Sequence, residues 1–289
     1  MKVRIITAVV AVTCIFPFFW FSDPVGATNP LNYLFPLLIA AISFVAEWEL
    51  LHCLGLDKKY YISVPLYVVA FAMPMLARVM VDMREEYTRA AVLVALAYAI
   101  YLFGVVVFRF GKEGSDMGKL ALLYMASFYV IGGLSAVVLL RDEGSVGRFL
   151  FQIPFVFAWV IDTFAYFCGR LFGKHKLIPA VSPKKTVEGA VGGAIFGAVT
   201  AVLYGVIVNA CFDEVTPNYV ALILGGLAIA VVSQMGDLIM SAIKRQYGVK
   251  DFGKMLPGHG GLLDRFDSSI AVALLVMIIN TYFPLFTVA

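Results

Sequence analysis

AAVLVALAYAIYLFGVVVF (residues 90–108) is an uncharged, largely apolar run that separates Arg89 from Arg109. A helix of this length crosses a hydrocarbon core about 30 Å thick. Similar runs recur along the 289-residue chain, which is 62% hydrophobic and only 14% charged. A soluble domain carries about a quarter charged residues because its surface faces water. The sequence therefore predicts an all-α polytopic membrane protein, since open strands would leave backbone groups unpaired in lipid.

Nine segments are predicted to span the membrane. They cover residues 3–21, 31–51, 60–80, 90–109, 119–140, 148–169, 187–211, 219–241 and 268–288. The first also resembles a secretory signal peptide, because Lys2 and Arg4 precede its apolar run and Val25-Gly26-Ala27 follows it. That run is longer than a usual signal-peptide core, so we predict a retained helix; cleavage would leave eight spans.

Basic residues predict the orientation of the chain. With the N-terminus inside, 17 of the 22 lysines and arginines fall on inside segments. The inside loops 170–186 and 242–267 hold five each, and the loop around 211–218 holds none. Because inside loops are enriched in lysine and arginine, we predict a cytoplasmic N-terminus. Residues 1–147 then form an N-terminal region of about five spans, and residues 148–289 a catalytic region with both cytoplasmic loops.

Small residues predict close helix packing in one span. Gly189, Gly193 and Gly197 recur at four-residue spacing, which leaves one helix face nearly bare backbone. The four cysteines lie in or beside apolar segments without the spacing of a metal site, and we interpret them as small buried hydrophobic residues.

Ionisable residues inside apolar spans indicate where chemistry occurs. Asp162 lies in the segment 148–169, and Asp237 lies in 219–241, one turn before Ser241. A charge at the centre of a span costs about 2.5–3.5 kcal/mol on insertion scales, so such residues are candidates for function. Each alone could instead form a helix-packing hydrogen bond or line an ion path.

The densest group of charges is SAIKRQYGVKDFGKMLPGHGGLLDRFDS (residues 241–268), which holds three aspartates, five basic residues and one histidine. Its glycines and Pro257 predict a loop. Carboxylates beside lysine and arginine suit Mg²⁺-assisted phosphate chemistry. In the preceding inside loop, lysine, serine and threonine are grouped where a helix begins, which suits an anion site.

Residues 241–268 resemble the signature of the phosphatidate cytidylyltransferase (CDP-diacylglycerol synthase) family. The matching positions are Ser241, Lys244, Arg245, Lys250, Asp251, Pro257, His259, Gly260, Gly261, Asp264, Arg265 and Asp267. The segments 162–170 and 182–189 also resemble the family. The resemblance covers the C-terminal half, and the first five spans are similar only in being apolar.

The resemblance implies that a phosphatidate phosphate attacks the α-phosphorus of CTP and displaces pyrophosphate. It implies one Mg²⁺ ion, or two, held by Asp237 and Asp264 with support from Asp251 and Asp267. The cations expected to neutralise the phosphates are Lys185, Lys244, Arg245, Lys250 and Arg265. Further substrate contacts are expected from Asp162, Arg170, Ser182, Lys184, Thr186, Glu188, Ser241, Gly260 and Gly261.

His259 is expected to hydrogen-bond a phosphate or to shape the loop. The attacking phosphate oxygen is already anionic, so the reaction needs no strong general base. The implied partners are CTP, phosphatidic acid and the lipid bilayer, with no nucleic acid, and a homo-oligomer is left open. The implied location is a bacterial inner membrane, with the active site on the cytoplasmic side.

Two other interpretations remain open from the residues. A related CTP-dependent enzyme could act on an ether lipid or a polyprenol. A transporter could use Asp162 and Asp237 along an ion path. Against a transporter, the sequence has no paired broken helices in two matching halves, and its long Asp/Lys-rich loop is predicted to face the cytoplasm.

Overall fold

The computed structural model describes residues 30–112, 114–256 and 260–288, and most of them are helical. Within these residues we number nine α-helices. They are α1 (Leu34–Leu54), α2 (Tyr60–Val79), α3 (Arg84–Phe108), α4 (Met117–Arg141), α5 (Gly147–Leu150), α6 (Ile153–Phe172), α7 (Val187–Cys211), α8 (Tyr219–Gln246) and α9 (Leu263–Tyr282). Short 3₁₀ turns lie at Pro30–Tyr33 and Gly144–Val146.

Seven segments of the described chain are long and apolar enough to cross a membrane. They are α1, α2, α3, α4, the segment Gly144–Phe172, α7 and α8. The prediction of a helical multi-pass membrane protein is therefore confirmed. The predicted first span, residues 3–21, lies outside the described residues. The predicted last span corresponds to α9, a 20-residue helix that is not among the seven.

The predicted boundaries of the last span are wrong. The helix begins five residues earlier, at Leu263, and ends at Tyr282. Pro284 follows closely, and proline lacks an N–H and restricts the residue before it, so the helix stops there. Residues Phe286–Val288 form strand β4 instead, which pairs antiparallel with strand β3, Val215–Pro217.

The predicted loop 242–267 is shorter than expected, because its two ends are helical. Helix α8 continues to Gln246, through a segment rich in lysine, arginine and glutamine, which favour helix. Gly248 then ends it with φ +70°, and the N–H groups of Gly248 and Val249 donate to the carbonyls of Arg245 and Lys244. This pattern is a Schellman motif, in which glycine takes the left-handed position.

The predicted loop 170–186 contains a small hairpin. Strand β1 covers Lys176–Ile178 and strand β2 covers Ser182–Thr186, and the two pair antiparallel. Strand β2 packs against α6 and α7. The strands of the described chain therefore form two small sheets of two strands each, beside the helices.

The described chain divides into two compact units. The first contains residues 30–139 and Asp251–Arg265. In it, α1 packs against α2 and α2 against α3. Its core is formed by apolar side chains such as Leu50, Leu51 and Ile62, all fully buried.

The second unit contains Leu140–Lys250 and residues 266–288, and its centre is the packing of α7 between α6 and α8. A Cβ atom added at Gly193 would lie 3.1 Å from Ala165 Cβ of α6. One added at Gly197 would lie 2.9 Å from Ala230 Cβ of α8. The prediction that this glycine stripe serves close helix packing is confirmed.

We predict that Gly226→Ala destabilises the second unit. The added Cβ would lie 2.7 Å from Ala201 Cβ and 3.1 Å from Gly197 O, where α7 and α8 have no room to separate without loss of packing. Overpacking of this kind costs about 1–3 kcal/mol. Thermal unfolding in detergent measures the effect.

The matched control is Gly104→Ala in α3, where the nearest heavy atom to the added Cβ is Phe108 Cδ2 at 4.0 Å. This variant should unfold at or above the wild-type temperature, because alanine favours helix over glycine. Equal unfolding temperatures for the Gly226 and Gly104 variants would contradict the packing account.

Candidate active site

Asp237 of α8 and Lys185 of β2 form an ion pair in the second unit. Lys185 Nζ lies 2.6 Å from Asp237 Oδ2, and the two side chains are only 22% and 27% exposed. Ser241, one helical turn further along α8, donates its hydroxyl to Asp237 Oδ1 at 3.2 Å. Both carboxylate oxygens therefore have polar partners, within a helix that is apolar enough to cross a membrane.

Two more aspartates lie close to this ion pair. Ser268 Oγ lies 3.5 Å from both Asp162 Oδ2 and Asp267 Oδ1, and its backbone N–H donates to Asp267 Oδ1 at 2.8 Å. Asp267 also lies close enough to the Asp237 carboxylate and to the Lys244 ammonium for their charges to act on it. Carboxylates that lie close together repel one another, and a bound cation relieves that repulsion.

The second unit thus brings together six of the predicted site residues: Asp162, Lys185, Asp237, Ser241, Lys244 and Asp267. Lys244 is buried and Asp162 is exposed. Three carboxylates and two ammonium groups so close together in a membrane helix bundle are costly unless they bind one another or a ligand. The arrangement is suited to a ligand that carries both negative phosphates and a divalent cation.

Local folding places Lys185 at this cluster. Thr186, the next residue, caps α7 by accepting a hydrogen bond from the Gly189 N–H at 3.1 Å. At the end of α6, a Cβ added at Gly169 would lie 2.8 Å from Thr186 Oγ1. The end of β2 is therefore held at the start of α7 and against α6. At the same helix start, Glu188 accepts hydrogen bonds from the backbone and ring nitrogens of His175, the latter at 2.7 Å.

The signature segment Asp251–Arg265 belongs to the first unit. Asp264 is buried, and its Oδ2 accepts hydrogen bonds from the N–H groups of Phe252 at 2.8 Å and Gly261 at 2.9 Å. Gly260 has φ +88°, a conformation that side-chain-bearing residues rarely adopt. The structure thus gives Asp264 a role in shaping this segment, and His259 lies outside the described residues.

Glu49 of α1 is a residue that the sequence analysis missed. Its carboxylate accepts hydrogen bonds from the N–H groups of Leu262 at 2.9 Å and Leu263 at 2.8 Å, and its side chain is fully buried. The signal was present, because Glu47 and Glu49 are two carboxylates in an apolar span.

Several predicted site residues lie on exposed surface and outside the cluster. Arg245 donates to the carbonyls of Val181 and Val249, and Arg170 lies 3.2 Å from the Tyr166 hydroxyl. The exposed residues are Arg170, Lys184, Arg245, Lys250, Asp251 and Arg265. Ser182 and Gly260 are half-buried, and Thr186, Ser241 and Gly261 are buried.

The residues of the cluster fit a hard cation such as Mg²⁺. Within the described residues, no group of three or more histidine, cysteine, aspartate or glutamate side chains is arranged to hold a metal ion by itself. Mg²⁺ is usually bound by one or two carboxylates, with substrate phosphates and water completing its shell. The Asp237 carboxylate is already paired with a cationic group, Lys185 Nζ. A positively charged metal ion could bind the same carboxylate.

Seven apolar helical segments and a cluster of carboxylates and lysines define a multi-pass membrane protein with a charged site in its helix bundle. The family model of the cytidylyltransferase family matches residues 2–283. The chain therefore belongs to the cytidylyltransferase family.

Similar proteins cover nearly the same length. A phosphatidate cytidylyltransferase of Staphylococcus haemolyticus is 34% identical over 281 residues, which are 96% of this chain and 98% of the relative. That of Bacillus subtilis is 33% identical over 280 residues, 94% of each chain. That of Thermotoga maritima is 32% identical over 277 residues, 94% of this chain and 93% of the relative. The similarity extends over both halves of the sequence.

We predict that Lys185→Met destabilises the protein and that adding Asp237→Asn restores stability. Removing the lysine leaves a partly buried carboxylate without its cation, at a cost of about 1–2 kcal/mol, less than for a fully buried pair. The double variant removes both charges, so the unpaired carboxylate is gone. Thermal unfolding in detergent measures all three proteins.

Lys184→Met on the same strand is the control, because Lys184 is exposed. It should unfold at the wild-type temperature. A Lys185→Met variant as stable as wild type, or a double variant no more stable than the single one, would contradict the ion-pair account.

Proposed function

We propose that this protein is a phosphatidate cytidylyltransferase, which joins CTP to phosphatidic acid to make CDP-diacylglycerol and pyrophosphate. The observation that carries this proposal is the near-full-length similarity to proteins of that name from three bacterial genera. The charged cluster at Asp237 supports it, because nucleotidyl transfer requires cations around phosphates in a protected site.

The proposed reaction is a displacement at phosphorus. An anionic oxygen of the phosphatidate phosphate forms a bond to the α-phosphorus of CTP, and the bond from that phosphorus to the β-phosphate bridging oxygen breaks. Pyrophosphate leaves with the electron pair of that bond. Since the attacking oxygen is already anionic, no residue must remove a proton, and His259 is assigned to phosphate binding or loop shape.

Lys185 and Lys244 are the proposed phosphate-binding cations at the cluster. Both lie among carboxylates with restricted exposure, so their charges are poorly screened by water. The Lys185 ammonium group, which lies beside Asp237, can move to a phosphate oxygen when a nucleotide binds. Arg245, Lys250 and Arg265 stay proposed as exposed cations for the triphosphate and the lipid phosphate.

Asp237 and Asp267 are proposed to hold Mg²⁺, as one ion or two. Bound there, the metal would neutralise charge on the CTP phosphates. Asp267 lies close enough to Asp237 for their charges to interact, which supports the assignment. Asp264 accepts two backbone N–H groups through one oxygen, so this carboxylate is held in a fixed place in the segment. Its predicted ligand role and that of Asp251 stay proposals.

The remaining substrate contacts are proposed on nine further residues. They are Asp162, Arg170, Ser182, Lys184, Thr186, Glu188, Ser241, Gly260 and Gly261. Gly260 supports this proposal because it has a positive φ and no side chain, and glycine allows backbone to approach a ligand closely.

The proposed topology has nine spans, a cytoplasmic N-terminus and a site on the cytoplasmic side of a bacterial inner membrane. Basic residues in the segments around 170–186 and 242–267 support that orientation. The division into a region 1–147 and a catalytic region 148–289 is proposed with it. Cytosolic CTP would reach the site from this side.

We predict that the detergent-purified protein releases pyrophosphate only when CTP, Mg²⁺ and phosphatidic acid are all present. The lipid product should contain CMP linked through its phosphate to diacylglycerol phosphate, which mass spectrometry identifies. Release with an ether lipid or polyprenol acceptor but not with phosphatidic acid would replace the proposed substrate. No release with any acceptor, from folded protein, would contradict the proposed enzyme.

Two aspartate variants locate the reaction in the same assay. Asp237→Asn should lower turnover by about 10²-fold or more, because it removes a charge that the reaction uses directly. Asp213→Asn changes an exposed loop residue and should keep wild-type turnover. Near-normal turnover of Asp237→Asn at ordinary Mg²⁺ would remove this residue from the site.

Orientation is tested by fusions at the C-terminus. Nine spans with an inside N-terminus place the C-terminus outside, so a fused alkaline phosphatase should be active and a fused green fluorescent protein dark. Fusions made after Gly248 should show the opposite pattern, since that position is proposed to be inside. Bright fluorescence at the C-terminus would reverse or change the proposed topology.

A further inference from the structure

Glu49 holds the start of helix α9 from a distant part of the chain. Its Oε1 accepts the Leu262 N–H at 2.9 Å and its Oε2 accepts the Leu263 N–H at 2.8 Å. The first N–H groups of a helix have no partner within the helix. A carboxylate there satisfies two of them and is favoured by the helix dipole. A residue of α1 thus supplies the cap of α9.

Two glycines enclose the same carboxylate. A Cβ added at Gly261 would lie 2.6 Å from Glu49 Oε2, and one added at Gly253 would overlap Glu49 Oε1. The backbone of the segment therefore passes against the carboxylate on both sides. Any residue larger than glycine at either position would have to displace Glu49.

Asp264 completes the arrangement within the segment itself. It accepts the N–H groups of Phe252 and Gly261, so Glu49 and Asp264 together satisfy four backbone donors between residues 252 and 263. Buried backbone donors that lack a partner destabilise the folded state. The conformation of this segment consequently depends on two carboxylates, of which only Asp264 belongs to the signature.

We propose that Glu49 is a positioning residue for the transfer reaction. Its carboxylate holds the described parts of the signature segment, residues 251–256 and 260–265, in the conformation in which the signature residues act on the substrates. This proposal rests on the proposed function, and Glu49 acts in it through the segment that it holds. If the segment is no longer held in place, turnover falls, because displacing catalytic groups by about 1 Å strongly lowers the reaction rate.

Glu47 is a matched control in the same helix. Its side chain is also fully buried, but its Oε2 accepts a hydrogen bond from Ser127 Oγ of α4 at 2.7 Å. Glutamine at either position keeps the size of the side chain and replaces one acceptor oxygen by a donor NH₂ group. At Glu49 that NH₂ would face a backbone N–H, whereas at Glu47 one oxygen remains to accept from Ser127.

The test measures turnover and hydrogen exchange for Glu49→Gln, Glu47→Gln and wild type. We expect Glu49→Gln to lower kcat about 10- to 100-fold. Peptides covering residues 252–263 should exchange faster, with exchange in α6, α7 and α8 unchanged. Glu47→Gln should keep kcat and exchange of the segment within about twofold of wild type.

A double-mutant cycle with Gly253→Ala tests the contact itself. The added methyl group displaces the same carboxylate, so its effect on kcat and that of Glu49→Gln should not add. The double variant should be about as slow as the slower single variant. If the fold-loss of kcat in the double variant equalled the product of the two single losses, Gly253 and Glu49 would act independently. That result would overturn the proposal.

Wild-type kcat in Glu49→Gln would also overturn it, as would unchanged exchange of the segment or an equal loss in Glu47→Gln. These outcomes are separate from failure of the proposed function. If the wild-type protein made no CDP-lipid, the proposed reaction and the positioning role in it would both be rejected. Hydrogen exchange of residues 252–263 in Glu49→Gln would then show only whether Glu49 holds the segment.

Discussion

Lys185 Nζ and Asp237 Oδ2 lie 2.6 Å apart, and α8, which carries the aspartate, is apolar enough to cross a membrane. Neither charge would be stable by itself in such surroundings. The hairpin of β1 and β2 places the lysine there, because Thr186 joins the end of β2 to the start of α7. The glycine faces of α7 and α8 then permit the close helix packing that keeps this site together.

Carboxylates that look alike in the sequence have different surroundings. Asp264 and Glu49 accept backbone N–H groups, which do not move away from a folded segment, so these two residues shape the structure. Asp237 meets the side chains of Lys185 and Ser241, which can turn toward another partner. This difference explains why Asp237 is the better candidate for binding a ligand.

The apolar spans and the position of the charged site could be predicted from the sequence. Length and composition determine that a run such as residues 90–108 is a membrane helix, and Asp162 and Asp237 are conspicuous inside apolar segments. The helical state of Lys244 and Arg245 was missed, because the glycines further along suggested a loop over the whole segment. Gly248 ends the helix only after both residues.

Contacts between distant parts of the chain could not be predicted in this way. The pairing of Lys185 with Asp237 depends on a hairpin whose fold is set by packing against α6 and α7. The cap that Glu49 provides for α9 joins residues more than 200 positions apart. No periodicity or spacing in one sequence reveals such a pair, although a carboxylate in an apolar span is a reason to look for its partner.

The central claim is that the cluster around Asp237 binds the metal and phosphates of CTP. A structure determined with CTP and Mn²⁺ in place of Mg²⁺, using the anomalous signal of manganese, tests it directly. The account predicts a manganese peak bonded to Asp237 or Asp267, with Lys185 moved from Asp237 to a phosphate oxygen. A manganese and nucleotide peak elsewhere, with the Lys185–Asp237 pair intact, would contradict it.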